Sequence, residues 1–233
     1  MDMKKKTLGI LGGVGPLATM YIGEMLVRLT DADTDQEHIN MVITNNTMIP
    51  DRTAFILGES TDDPVPYIIS DANRLRVAEA EVIIMPCNTA HSFYDQIQRE
   101  SELPIINMID ETVARVKQVN AERVGILATT GTISSGVYQD ACEKYGVTPV
   151  LPDSSIQSLV MSLIYDDVKA GKPADRDKWE AISQAMKEVN CDVLILGCTE
   201  LSIVRKELKL EGCIDSLLVL AEAAITTCGY RLK

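Results

Sequence analysis

Glu81-Val82-Ile83-Ile84-Met85-Pro86-Cys87 and Asp192-Val193-Leu194-Ile195-Leu196-Gly197-Cys198 are one pattern written twice. Each opens on an acidic residue, runs through four apolar residues without a polar break, and ends on a turn residue and a cysteine. A short, continuous apolar run rich in β-branched residues is the mark of a strand covered on both faces, as in a parallel sheet flanked by helices. Two further echoes keep the same order. Leu8-Gly9-Ile10-Leu11 returns as Val124-Gly125-Ile126-Leu127, with Gly15 answering to Gly131, and Ile109-Asp110 returns as Ile214-Asp215. Three ordered matches predict two similar α/β halves.

Outward from these runs, strands are expected over 7–11, 41–44, 82–85, 105–108, 124–128, 149–151 and 193–196. Amphipathic periodicity predicts helices over 17–29, 66–80, 90–100, 111–119, 135–145, 154–170, 176–189 and 216–227. The expected architecture is α/β, with two similar parallel-sheet domains related by pseudo-twofold symmetry and a cleft between them. The first half is expected over residues 1–110 and the second over 111–212, with a C-terminal helix in 213–233 packing back on the first half. Ligands in such folds bind at the carboxyl ends of the strands. Cys87 and Cys198 both stand there, each ahead of a helix whose N-terminal dipole favours thiolate.

Composition narrows the function. The 233 residues carry 22 basic and 34 acidic side chains, a net charge of −12, with 46% hydrophobic residues. Such a chain can bury a core, and its charge disfavours nucleic acid and anionic membrane as partners. The six cysteines include no C-x-x-C pair, which fits a reduced, cytoplasmic protein rather than a disulfide framework. Lys4-Lys5-Lys6 before an apolar run superficially resembles a signal peptide. Gly12, Gly13, Gly15 and Pro16 break that run, and we read it as the first strand. With two histidines in the chain and no cysteine partner at ligand spacing, no metal site is expected.

Gly12-Gly-Val-Gly-Pro16, Ile49-Pro-Asp-Arg-Thr53, Pro86-Cys-Asn-Thr-Ala-His91, Ala128-Thr-Thr-Gly-Thr132 and Gly197-Cys-Thr-Glu200 together resemble the aspartate/glutamate racemase family, on its aspartate racemase branch. Glutamate racemases have Asp-Ser in the first loop and His in the last motif. Gly12-Gly13 and Glu200 stand there in this chain, and Val14 replaces a common Met. The resemblance implies an isomerase that inverts a small dicarboxylic amino acid, aspartate with glutamate as a second substrate. It implies no cofactor, neither pyridoxal phosphate nor metal, and a homodimer.

It further implies Cys87 and Cys198 as a catalytic acid and base, one thiolate and one thiol, flanking Cα. Arg52 and Lys169 would hold substrate carboxylates. Asn88, Thr89, Thr130, Thr132 and Thr199 would polarise the α-carboxylate, and helix capping is the plain alternative for such residues. His91, one helical turn beyond Cys87, either tunes that thiol or is an internally satisfied histidine. Two rival functions are weighed. One is a cysteine-dependent isomerase or decarboxylase of a small diacid. The other is a nucleotide-binding α/β protein, suggested by Gly13-x-Gly15-x-x-Ala18 after the first strand. The second strand ends in Thr44-Asn45-Asn46, without the acidic residue a ribose needs.

Overall fold

The computed structural model describes residues 4–233. Strands β1 (Leu8–Gly12), β2 (Met41–Asn45) and β3 (Val82–Ile84) form one parallel sheet in the order β2-β1-β3. Strands β4 (Arg123–Leu127), β5 (Thr148–Val150), β6 (Val193–Leu196) and β7 (Cys213–Asp215) form a second, in the order β5-β4-β6-β7. A parallel bridge from Ile83 to Ile105 adds a rudimentary fourth strand to the first sheet, and the two orders then coincide. The sequence repeat is a repeat of topology.

The third echo is out of register. Gly9 faces Ile83 and Gly125 faces Leu194, so Ile105 answers to Cys213 and Ile106-Asn107 answers to Ile214-Asp215. Chemistry agrees with this pairing. Asn107 caps helix α5 (Met108–Gln118) through Ile109 N–H and Asp110 N–H, and Asp215 caps helix α11 (Ser216–Thr227) through Leu217 N–H and Leu218 N–H. The strand expected over 105–108 is therefore a single bridge, because the Asn107 cap starts a helix at Met108.

These two helices join the halves: Met108 packs in the core of the first sheet, and from Ile109 onward α5 packs in the core of the second. Ile109, Val113 and Val116 of α5 pack with Val124, Ile126 and Ile195 of the second sheet. Leu217, Leu220, Ala221 and Ile225 of α11 pack with Leu8 and Ile10 of the first sheet and Ile22 of helix α1 (Pro16–Leu29). Each half thus lends its last helix to the other, and the two helices pack on one another. Burial of that many aliphatic side chains, at about 1.5–3 kcal/mol each, fixes the relative placement of the sheets.

The remaining helices frame the site. Asp51 accepts from Ala54 N–H at 2.8 Å and so starts the short helix α2 (Arg52–Ile56), giving structure to what reads as a turn. Beyond helix α3 (Val65–Val77), the segment after Cys87 is a 3₁₀ turn, Thr89–Phe93, followed by helix α4 (Tyr94–Glu100). The helix expected over 135–145 is α7 (Val137–Tyr145), and an additional short helix, α6 (Thr130–Ser135), precedes it, parted from it at Gly136 with φ +77°. Helix α8 (Ser154–Ser162) widens into a π turn at Leu163–Val168 that delivers Lys169. Helices α9 (Arg176–Glu188) and α10 (Thr199–Leu208) complete the second half.

Candidate active site

The carboxyl ends of strands from both sheets enclose a cleft of about 320 Å³. The first half contributes Val14, Asp51, Arg52, Thr53, Cys87, Asn88 and Thr89, and the second contributes Thr129, Tyr165, Lys169, Cys198, Thr199 and Glu200. Both cysteines are 6% exposed. The cleft is narrow and far short of what a dinucleotide needs.

Cys87 follows β3 at a turn in which its N–H donates to Met85 C=O at 2.8 Å. Its own carbonyl is tied down by His91, whose Nδ1 lies 2.8 Å from it, while Nε2 accepts Met108 N–H at 3.1 Å. A ring that donates on one side and accepts on the other is neutral, and burial pushes its pKa down to about 4 against the opposing pull of the Cys87 and Ile106 backbone. His91 is therefore a satisfied strut between the Cys87 turn and the start of α5, and it does not reach the thiol through a hydrogen bond.

Asn88 is held from across the interface. Its Nδ2 donates to Ser216 Oγ at 3.1 Å and its Oδ1 accepts from Tyr138 Oη at 2.6 Å. Thr89, Thr129 and Thr132 form a closed triangle of hydroxyls, with Oγ1 separations of 3.1, 2.8 and 3.0 Å that link the halves. Within it Thr129 is the cap of α6, accepting Thr132 N–H at 3.2 Å, and it lines the cleft. Thr132 is fully buried behind that wall. Thr130 turns away, its hydroxyl facing Gln157 Nε2 at 3.4 Å. Among the hydroxyls named from sequence, Thr89 and Thr199 line the cleft; Thr129, which was not named, does so in place of its neighbour.

The two cations approach from different halves. Arg52 donates through Nη1 to Pro50 C=O at 3.0 Å and through Nη2 to Val14 C=O at 3.2 Å, leaving a buried Nε without a partner. Burial works against its charge, but Cys87 beside it and Asp51 outweigh burial and raise its pKa. Lys169 sits at the rim with Nζ 4.1 Å from the centre of the Tyr165 ring, a cation–π contact that aims the amine. Burial again opposes the charge, and Glu200, then Cys198, reverse the balance.

Glu200 is the side chain that sequence reading noted only as a departure from glutamate racemases. It is buried, and its Oε2 accepts from Cys198 Sγ at 2.9 Å and from Thr199 Oγ1 at 3.2 Å. Burial and then the neighbouring Glu200 carboxylate push the Cys198 thiol well up. The expectation that a helix N-terminus makes this sulfur a thiolate is thereby corrected: a carboxylate in hydrogen-bond contact and loss of solvent outweigh the dipole of α10. Its signal was its spacing, two residues past the cysteine in the first turn of a helix.

The glycines of the first loop serve packing. A Cβ on Gly13 would lie 2.3 Å from Asn46 C=O, and Gly13 N–H donates to Thr19 Oγ1 at 3.0 Å. The turn is closed against the β2 loop, where a dinucleotide pyrophosphate would have to approach. Among the described residues there is no cluster of three potential metal ligands and no helix long and apolar enough to cross a membrane.

Comparison with known proteins agrees with the geometry. The family model for Asp/Glu/hydantoin racemases matches residues 11–224. The aspartate racemase of Picrophilus torridus superposes with a TM-score of 0.82 at 34% identity, covering 98% of this chain and 96% of that one. An aspartate racemase homologue from Pyrococcus horikoshii shares the fold, with a TM-score of 0.76 at 23% identity over 96% of this chain and 99% of that one. The broad specificity amino-acid racemase RacX of Bacillus subtilis is 27% identical over 94% of this chain and 97% of its own length. The chain belongs to the Asp/Glu/hydantoin racemase family, and it is an isomerase of that family's racemase type.

Proposed function

We propose that the protein racemises aspartate, with glutamate as a second substrate, by passing protons between Cys87, Cys198 and the two faces of Cα, without a cofactor. One observation carries this reading: two cysteines from repeat-related positions open onto one cleft that also holds two cations, Arg52 and Lys169. Inverting a carbon requires a base on one face and an acid on the other. A neutral amino acid offers one carboxylate, whereas a diacid offers two, and each cation can take one through a charge-assisted bond. In a chain of net charge −12, the cleft sets its two cations against Asp51 and Glu200 and so escapes the negative excess of the rest of the chain. With Glu200 engaged by Cys198 and Thr199, two cations for two carboxylates favour a diacid over the wider range indicated by the name of the Bacillus subtilis relative.

The carbanion is the energetic obstacle. The hydroxyls of Thr89, Thr129 and Thr199, with Asn88 held rigid by Ser216 and Tyr138, supply fixed dipoles around the carboxylate where charge develops. The wall residues Thr130 and Thr132 act through Thr129 and Gln157 rather than on substrate. The proposed setting is a cytoplasmic homodimer, in keeping with the reduced cysteines and the resemblance.

The test is a chiral assay of the purified protein against both enantiomers of aspartate, glutamate and the common neutral amino acids, with and without pyridoxal phosphate or chelator. Inversion of aspartate at a rate indifferent to both additions is expected. Loss of activity in chelator, or preference for neutral amino acids over both diacids, would overturn the reading.

A further inference from the structure

The two sulfurs have opposite partners. The Arg52 guanidinium stands beside Cys87, while the Glu200 carboxylate holds Cys198 Sγ–H at 2.9 Å. The other charged or titratable groups near Cys198 are Lys169, at the end of the π turn, and Tyr138 of α7. Tyr138 is a neutral phenol that donates to Asn88 Oδ1, and burial raises its pKa. Lys169 is spread between Glu200, both cysteines and the Tyr165 ring, and it touches neither sulfur through a hydrogen bond. The direct hydrogen-bond contact on Cys198 is anionic.

We propose that Glu200 decides which cysteine carries the proton in the free enzyme: it holds Cys198 as the acid, leaves Cys87 as the base, and so makes the resting enzyme ready for one enantiomer. This rests on the two-thiol reading. In the forward turn the Cys87 thiolate takes the Cα proton, and the electron pair stays on carbon. Cys198 Sγ–H then breaks as its proton reaches the opposite face of Cα, and a Cys198 thiolate remains. That thiolate faces the Glu200 carboxylate at hydrogen-bond distance with no proton between them, a like-charge contact that raises the energy of the second enzyme form. Glu200 is thus a positioning residue for a proton and does not touch Cα.

The kinetic consequence is specific. Enantiomers have equal free energies in water, so kcat/KM is equal in the two directions whatever Glu200 does. The bias appears in the separate constants. The enantiomer that binds the resting form has the lower KM and the lower kcat, and its mirror image has both raised together.

The test uses the full-length protein and two readouts. Alkylation by iodoacetamide across pH 6–10, resolved at each cysteine by peptide mass spectrometry, should in the wild type modify Cys87 ahead of Cys198. In Glu200→Gln, which keeps the shape and removes the charge, alkylation of Cys198 at pH 8 should rise about tenfold or more, the change expected when its pKa falls by about one unit. The difference in KM between the enantiomers should shrink in the same variant, and Glu200→Asp should restore part of it. Unchanged Cys198 alkylation in a folded Glu200→Gln protein would overturn the proposal. Failure of the underlying reading looks different. There, Cys198→Ser would still racemise, whereas a dead Cys198→Ser with an unmoved Glu200→Gln condemns the role of Glu200 alone.

Discussion

Replacing His91 by Phe should change how the protein responds to acid, and the structure gives the size of the change. His91 is buried between Cys87 C=O and Met108 N–H, with its pKa lowered from 6.5 to about 4. The folded protein resists the proton that the unfolded chain accepts at 6.5. The stability this group confers is therefore complete above that pH, declines as pH falls through 6.5, and is gone near pH 4. Over the whole interval the difference is worth about 3 kcal/mol, and between pH 7 and pH 5 about 2 kcal/mol. Phe keeps a planar ring in the site but leaves the carbonyl and the amide without partners, a cost of about 1–3 kcal/mol each. Urea unfolding at pH 7 should show the variant several kcal/mol less stable. At pH 5 the gap should narrow by about 2 kcal/mol, because the wild type has lost a term that the variant never had. The assay is the pair of denaturation curves at each pH, followed by circular dichroism. A gap of constant size from pH 7 to pH 5 would refute a neutral, buried His91.

Arg52→Ala and Lys169→Ala should each lower kcat/KM for aspartate by about one to two decades, as the loss of a charge-assisted contact of about 1.5–3 kcal/mol requires. Arg52→Ala should also lower the melting temperature, since the bonds to Val14 and Pro50 carbonyls go with it, whereas Lys169→Ala at the exposed rim should not. Gly131→Val places side-chain atoms where a Cβ already lies 2.9 Å from Thr53 Cα, between α6 and α2. It should cost about 1–3 kcal/mol by overpacking and, by shifting Arg52 on α2, raise KM; a variant with wild-type KM would show that α2 is not held by this contact.

Much of this was legible in the sequence because strands buried on both faces leave uninterrupted apolar runs. Leu8–Leu11, Val82–Ile84 and Val193–Leu196 read as strands and are strands. What misled was local capping chemistry. Asn107 ends the fourth strand of the first half almost before it starts, and an apolar match at Ile109-Asp110 looked equivalent to Ile214-Asp215 when the equivalence lies in the caps, Asn107 and Asp215. The helical stretch over 154–170 gave no sign of the π turn at Leu163–Val168, since one extra residue in a turn leaves the apolar pattern nearly unchanged. At the site, the cysteines and cations were readable from motif and resemblance, and the structure brings them to one cleft. The choice of Thr129 over Thr130 was not readable, because capping fixes which of two adjacent hydroxyls turns inward. Glu200 escaped because its effect is electrostatic and depends on burial, which a sequence does not display.

Isotope incorporation in heavy water tests the two-thiol claim most directly. If Cys87 and Cys198 serve opposite faces of Cα, the proton removed by one sulfur is not the proton returned by the other. Starting from one enantiomer of aspartate, the product isolated at a few per cent conversion should carry deuterium at Cα, while recovered substrate keeps protium, and Ser at either cysteine should abolish inversion, because a hydroxyl is too weak an acid to supply the missing thiolate. Deuterium entering recovered substrate as fast as product, or inversion surviving in either Ser variant, would contradict the account.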